Sequence, residues 1–171
     1  MKKALITTAI TSGLFFTSQL TMAEEQNYVG LQYNMFTYSE DGLGDLEPEG
    51  VALVIGGELN DNFRLEGRLG SSTADDNVAG VALAIDNYIG FYVKGGMRFA
   101  DMVFPYVVLG YSLVDLKSHD ANYYDTESDL SYGVGADVNF GNFQVGLEWI
   151  MLQDKSAYEL ENLSLTAAWR F

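Results

Sequence analysis

From Asn27 to the end of the chain, apolar residues return at every second position, and charged or small residues fill the places between them. The run Phe63-Arg64-Leu65-Glu66-Gly67-Arg68-Leu69 shows the pattern at its sharpest. Phe63, Leu65 and Leu69 point one way, and Arg64, Glu66 and Arg68 the other. A period of two belongs to a β-strand whose two faces meet different surroundings. A strand with three charges on one face is no ordinary core strand. It needs an apolar medium on one side and partners for its charges on the other.

Eight segments carry the alternation. Asn27 to Tyr38 sets Val29, Leu31, Tyr33 and Met35 against Gly30, Gln32 and Asn34, and Gly50 to Leu59 sets Val51, Leu53, Ile55 and Leu59 against Ala52, Gly56 and Glu58. Phe63 to Gly70 is the third, and the fourth runs from about Ile85 to Phe99, with Tyr88, Tyr92, Lys94 and Arg98 on its polar face. Val103 to Ser112 is a weaker fifth, and Asp129 to Phe140 a sixth with Ser131, Gly133, Gly135, Asp137 and Asn139 opposite its apolar residues. Phe143 to Leu152 opposes Phe143, Val145, Leu147, Trp149 and Met151 to Gln144, Gly146 and Glu148. Glu161 to Phe171 opposes Leu163, Leu165, Ala167, Trp169 and Phe171 to Asn162, Ser164, Thr166 and Arg170.

The connections alternate in length. Asn60-Asp61-Asn62, Ala100-Asp101-Met102 and Gly141-Asn142 are short, whereas Ser39 to Glu49, Ser71 to about Ala84, Leu113 to Ser128 and Gln153 to Leu160 read as long polar loops. Tight turns at one end and long loops at the other are the layout of an outer-membrane barrel, and a soluble sandwich has no reason to sort them. Hydrocarbon offers no hydrogen-bond partner, so strands cross it only as a closed ring. The expected fold is therefore all-β, an eight-stranded antiparallel up-and-down transmembrane β-barrel. Tyr28, Tyr33, Phe36, Tyr38, Phe99, Tyr132 and Trp169 lie near strand ends, where an aromatic girdle is expected.

Lys2 and Lys3, the apolar stretch Leu5 to Phe16 and the small-residue end Thr21-Met22-Ala23 read as a signal peptide over residues 1–23, leaving 24–171 as the barrel domain. Acidic residues outnumber basic ones 24 to 9, which argues against nucleic acid as a partner. No apolar run after residue 25 approaches the roughly 20 residues of a spanning helix. Cysteine is absent, so neither disulfides nor thiol chemistry enter.

Of the basic residues beyond the leader, Arg64, Arg68, Lys94, Arg98 and Arg170 fall on the inner face beside Glu58, Glu66, Asp137 and Glu148. An eight-stranded lumen is just wide enough for side chains to fill it, so these charges read as a salt-bridge network that plugs the barrel. A narrow ion path lined by the same residues is the competing reading.

The leader, the alternating strands and the aromatic C-terminus together resemble the OmpA/OmpX-like outer-membrane β-barrel family over Asn27 to Phe171. Pro105-Tyr106-Val107-Val108-Leu109-Gly110-Tyr111 resembles that family's fifth strand. Leu163, Leu165, Ala167, Trp169 and Phe171 resemble the terminal signal read by the barrel assembly machinery, and Phe171 would be its determinant. The resemblance implies an outer-membrane location in a Gram-negative bacterium with lipid and lipopolysaccharide as neighbours, a monomer by default, and no peptidoglycan-binding domain after the barrel. Function varies widely within it.

Chemistry is sparse. Some eight-stranded barrels hydrolyse lipid A, which needs a converging Ser and His with an acid to orient the His. Here the single histidine, His119, sits between Ser118 and Asp120, neighbours that an extended chain points apart. No catalytic residue or cofactor is assigned. Acids cluster in the loops: Glu40, Asp41, Asp45, Glu47 and Glu49; Asp75 and Asp76; Asp115, Asp120, Asp125, Glu127 and Asp129. Hard oxygens suit divalent cations, but Asp41-Gly42-Leu43-Gly44-Asp45 lacks EF-hand spacing, so no metal ligands are assigned and solvated charge is the plainer reading. Loops this acidic would repel lipopolysaccharide phosphates unless divalent cations bridge the two. The expected role is a non-enzymatic barrel serving envelope integrity or surface interaction, with a small pore or a lipid A-modifying enzyme as the alternatives.

Overall fold

The computed structural model describes residues 26–40, 45–74, 76–78, 81–100, 102–118, 123–156 and 158–171, with side chains at all of these except 40, 74, 76–78, 81–86, 116–118 and 123–126. The signal-peptide reading of residues 1–23 lies outside them.

The described residues form nine strands: β1 (Asn27–Glu40), β2 (Glu49–Glu58), β3 (Phe63–Ala74), β4 (Asp76–Val78), β5 (Val81–Gly96), β6 (Val103–Ser118), β7 (Tyr123–Phe140), β8 (Phe143–Asp154) and β9 (Tyr158–Arg170). All pairings are antiparallel and, apart from that of β1 with β9, join neighbours in sequence, except that β3 and the short β4 do not pair with each other but both pair with β5, so together they make one stave of an eight-stave wall. The ring closes where β1 meets β9, in register from Tyr28↔Arg170 to Glu40↔Tyr158. Asn27 and Phe171 add a reciprocal pair of backbone hydrogen bonds at 3.1 and 2.9 Å. No described helix is long and apolar enough to span a membrane, and the strands do the crossing.

The alternation read from the sequence sets the two faces. Leu31 (67%) and Phe91 (65%) are exposed on the outside, while Arg64, Glu66, Arg68, Lys94, Asp137 and Glu148 are buried within. Tyr33, Phe99, Tyr132 and Trp169 face outward as girdle residues should. Tyr28 (1% exposed) and Phe36 (2%) do not: they lie inside the barrel, and Tyr38 stacks on Tyr158 at 5.1 Å against the buried cluster. The reason is parity. All three sit an even number of residues from Gln32 and Asn34, so the pleat turns them inward with those side chains. Met151, expected on the lipid face, is covered (7% exposed) beside the register shift between Met151 and Gln153.

The turns at the short end have local causes. Asn60 Oδ1 accepts from the backbone N–H groups of Asn62 and Phe63, both at 2.9 Å, which folds the β2–β3 connection. Gly141 takes φ +62° in the two-residue turn with Asn142, a conformation that disfavours any side chain.

The opposite end departs from expectation. Leu113 to Ser128, read as a loop, is mostly ladder, with β6 and β7 paired from Leu113↔Ser128 to Ser118↔Tyr123. Likewise β3, β4 and β5 occupy much of Ser71 to Ala84, down to Val78↔Val81, and Gln153↔Leu160 and Asp154↔Glu159 extend β8 and β9. Within Ser39 to Glu49, Leu46 bridges back to Tyr38. The hairpins continue as paired backbone beyond the segments in which the alternation is clear.

Gly133 marks the closest approach of β7 and β8. A Cβ there would stand 2.2 Å from the Trp149 carbonyl oxygen and 2.7 Å from Ile150 Cα, backbone atoms that move only if the ladder moves. Gly133→Ala is expected to destabilise the barrel by about 1–3 kcal/mol. Urea titration of the folded form, followed by its mobility difference with and without boiling, measures this, and an unchanged midpoint contradicts the packing described.

Candidate functional site

The lumen is filled from end to end, and its filling changes character along the axis. Near the tight turns, Glu58 at the end of β2 gathers three guanidinium groups: Arg64 from β3 (2.9 Å), Arg98 following β5 (2.6 Å) and Arg170 from β9 (2.6 Å). Arg64 also donates to Asp137 of β7 at 2.8 Å and lies over the Phe104 ring at 3.9 Å. Asn139 and Gln144, flanking the β7–β8 turn, complete this layer, with Arg64 Nη1 3.5 Å from Gln144 Oε1.

One layer further in, two carboxylates hold two cations. Arg68 reaches Glu148 with both terminal nitrogens (2.6 and 2.9 Å) and Glu66 with Nε (2.6 Å). Lys94 donates to Glu66 at 2.7 Å and stands 3.7 Å from Glu148. The hydroxyls of Tyr28 and Tyr106 donate to Glu66 (2.7 Å) and Glu148 (3.0 Å), while Arg68 stacks over Tyr92 at 4.3 Å and Lys94 over Tyr106 at 4.6 Å. The lumen charges thus form two clusters, Glu58, Arg64, Arg98, Asp137 and Arg170 near the turns and Glu66, Arg68, Lys94 and Glu148 further in.

Above the charges runs a line of hydroxyls, Tyr88 to Tyr92 (2.5 Å), Tyr92 to Ser112 (2.5 Å) and Ser112 to Ser131 (2.6 Å), ending where Ser131 donates to the Leu152 carbonyl at 3.0 Å. Around and beyond it apolar side chains join buried amides such as Asn34, Asn162 and Gln153. Phe36, Val114, Ile150, Leu152 and Leu160 are fully buried toward the long-hairpin end, with the Tyr38–Tyr158 stack against them. This apolar cluster adds to the charge network that the sequence leads one to expect. Its signal lay in Phe36, Val114, Ile150 and Leu160, each on the inner face by parity.

Outside, acids rim the far end of the wall. Tyr132 donates to Asp154 (3.2 Å) and Trp149 to Glu161 (3.1 Å), so girdle aromatics lean on carboxylates just above the apolar band. Lys155 stands 3.4 Å from Glu127 and 3.7 Å from Asp129, Asp45 accepts from Ser39 at 2.9 Å, and Asn87 donates to Asp115 at 3.3 Å. Among the described residues no group of three or more His, Cys, Asp or Glu is arranged to hold a metal ion. His119, Asp120, Asp41 and Asp75 lie outside the described residues, as do the side chains of Ser118, Glu40, Asp76 and Asp125. In the terminal strand Leu163, Leu165, Ala167, Trp169 and Phe171 all face outward.

Removing one partner from a buried ion network leaves an uncompensated charge, at a cost of about 3–5 kcal/mol, whereas removing both members relieves it. Arg68→Leu is expected to destabilise by about that much, and Arg68→Leu combined with Glu148→Leu by less than the sum of the single changes. Unfolding free energies of the four proteins in vesicles measure the coupling, and strict additivity would contradict the network.

The profile of the outer membrane protein beta-barrel domain family matches residues 7–171. No curated relative matches the sequence. Among solved structures the chain is similar to Ail, the attachment invasion locus protein of Yersinia pestis, crystallised with the heparin analogue sucrose octasulfate: 20% identity, TM-score 0.65, covering 86% of this chain and 99% of that one. Neisserial surface protein A follows at 16% identity and TM-score 0.61, covering 85% of this chain and 97% of that one. The N-terminal β-barrel domain of Pseudomonas aeruginosa OprF gives 15% and 0.54, covering 83% and 97%. These likenesses carry the fold. With the family profile spanning nearly its whole length, the chain belongs to the outer membrane protein β-barrel family.

Proposed function

We propose that this protein is a non-enzymatic outer-membrane barrel that anchors itself in the envelope as a sealed cylinder and offers an acidic rim to its surroundings. The observation that carries the reading is the occupied lumen: ion clusters in one half and a packed, largely apolar cluster in the other put side chains across the described interior, which supports a sealed cylinder. A barrel of this size with its interior occupied has only its two ends free to act.

The rim's chemistry differs from what the Ail complex implies. A sulfated sugar calls for a basic surface, whereas here Asp45, Glu47, Glu49, Asp115, Asp154, Glu159 and Glu161 gather at the long-hairpin end. Such a rim favours divalent cations and cationic partners and disfavours polyanions. Asp154 and Glu159 are directly paired across β8 and β9, a like-charge pairing that a bridging cation relieves. Mg²⁺ or Ca²⁺ shared with lipopolysaccharide phosphates is the role proposed for it. Cleavage after Ala23, delivery by the barrel assembly machinery through the strand ending in Phe171, and a monomeric state complete the reading.

Two experiments test it. In planar bilayers the protein is expected to show no stable conductance, and discrete steps altered by Arg68→Ala would replace the sealed barrel with a pore. In bilayers containing lipopolysaccharide, Mg²⁺ is expected to raise the unfolding midpoint, and the triple change Asp154→Asn, Glu159→Gln, Glu161→Gln to flatten that response. An equal response in both proteins removes the cation bridge.

A further inference from the structure

The two charged layers of the lumen are not equally balanced. In the inner layer Arg68 and Lys94 match Glu66 and Glu148. At the tight-turn mouth Arg64, Arg98 and Arg170 face only Glu58 and Asp137, so the lumen's surplus positive charge is concentrated there. Three guanidinium groups converge on this one carboxylate. Arg64 Nη2 stands 2.9 Å from Glu58 Oε1 yet off its hydrogen-bonding direction.

The same mouth holds buried donors with no acceptor among the described residues: Arg98 Nε, Arg170 Nε, Gln144 Nε2 and Asn139 Nδ2. Buried N–H groups of this kind are ordinarily satisfied, and a surplus of guanidinium charge selects an anion to do it. Access exists from this end, where the Arg98 side chain is 24% exposed beside the β5–β6 turn. The barrel wall keeps lipid headgroups out, because their acyl chains stay outside the ring. From this imbalance of charge and donors we infer that the tight-turn mouth of the lumen binds a small free oxyanion of the phosphate class, held by Arg64, Arg98 and Arg170 beside Glu58. The site lies at the opposite end from the acidic rim, so its fate is independent of the function proposed above.

The test is a titration of the folded, full chain in detergent micelles with inorganic phosphate at constant ionic strength, reading the arginine Nε–Hε NMR signals. Saturable shifts of the Arg98 and Arg170 signals are expected, with the apparent affinity falling about tenfold in Arg98→Gln, the loss of one charge-assisted hydrogen bond. Lys155→Gln, at the far rim, is expected to leave the titration unchanged. Shifts that grow linearly without saturation, or an equal loss in Lys155→Gln, overturn the inference. The wild-type titration decides between saturation and its absence even where Arg98→Gln does not fold.

Discussion

The structure depends on the pairing of backbone groups around a closed ring. In hydrocarbon an unpaired N–H or C=O costs several kcal/mol, so the joint between β1 and β9 matters as much as any hairpin. Closure with eight staves also fixes the cross-section of the lumen, and every inward side chain must then share a narrow cylinder with the others. That constraint explains the pairing of inner glycines with inner aromatics. A Cβ on Gly56 would stand 2.2 Å from the Tyr28 ring, and one on Gly135 would stand 2.5 Å from the Tyr106 hydroxyl. Both rings lie in space that a side chain on the glycine would take, and both end on a carboxylate of the ion network.

A sealed cylinder in lipid has nowhere to release an unpaired charge. The inner layer solves this by neutrality, with two cations, two carboxylates and two tyrosine hydroxyls satisfying one another. Cation–π stacking of Arg68 and Lys94 on Tyr92 and Tyr106 adds attraction where water is excluded. Beyond the hydroxyl line the barrel no longer needs charge to fill its space, and Phe36, Ile150, Leu152 and Leu160 occupy it at lower desolvation cost.

Much of this was legible in the sequence because parity in a strand is local. Knowing that Gln32 faces inward determines Asn34 by counting, the alternation from Phe63 to Leu69 does the same for Arg64, Glu66 and Arg68, and eight of the nine lumen charges are buried, with Arg98 half-buried. Parity also places Tyr28 and Phe36 inside, although their position near strand ends suits an aromatic girdle. The irregularity near Leu152 was invisible, since a register shift between Met151 and Gln153 leaves no mark in composition. So was the extent of the long hairpins, because polar and apolar residues there no longer alternate strictly although the backbone stays paired. Partner choice within the network, such as Arg64 with Asp137 rather than Glu66, depends on the stagger of strands distant in sequence.

With the wall made generic by lipid and the lumen occupied by its own side chains, individuality is left to the two ends. The likeness to Ail at 20% identity illustrates how little the wall constrains them. Two chains share a strand order while one is crystallised with a polysulfated sugar and the other presents carboxylates at its long hairpins. Carboxylates gather at the long hairpins, whereas inside the tight-turn mouth of the lumen three arginines stand against two carboxylates. Ions of opposite sign suit opposite mouths, with the balanced inner layer of Arg68, Lys94, Glu66 and Glu148 lying between them.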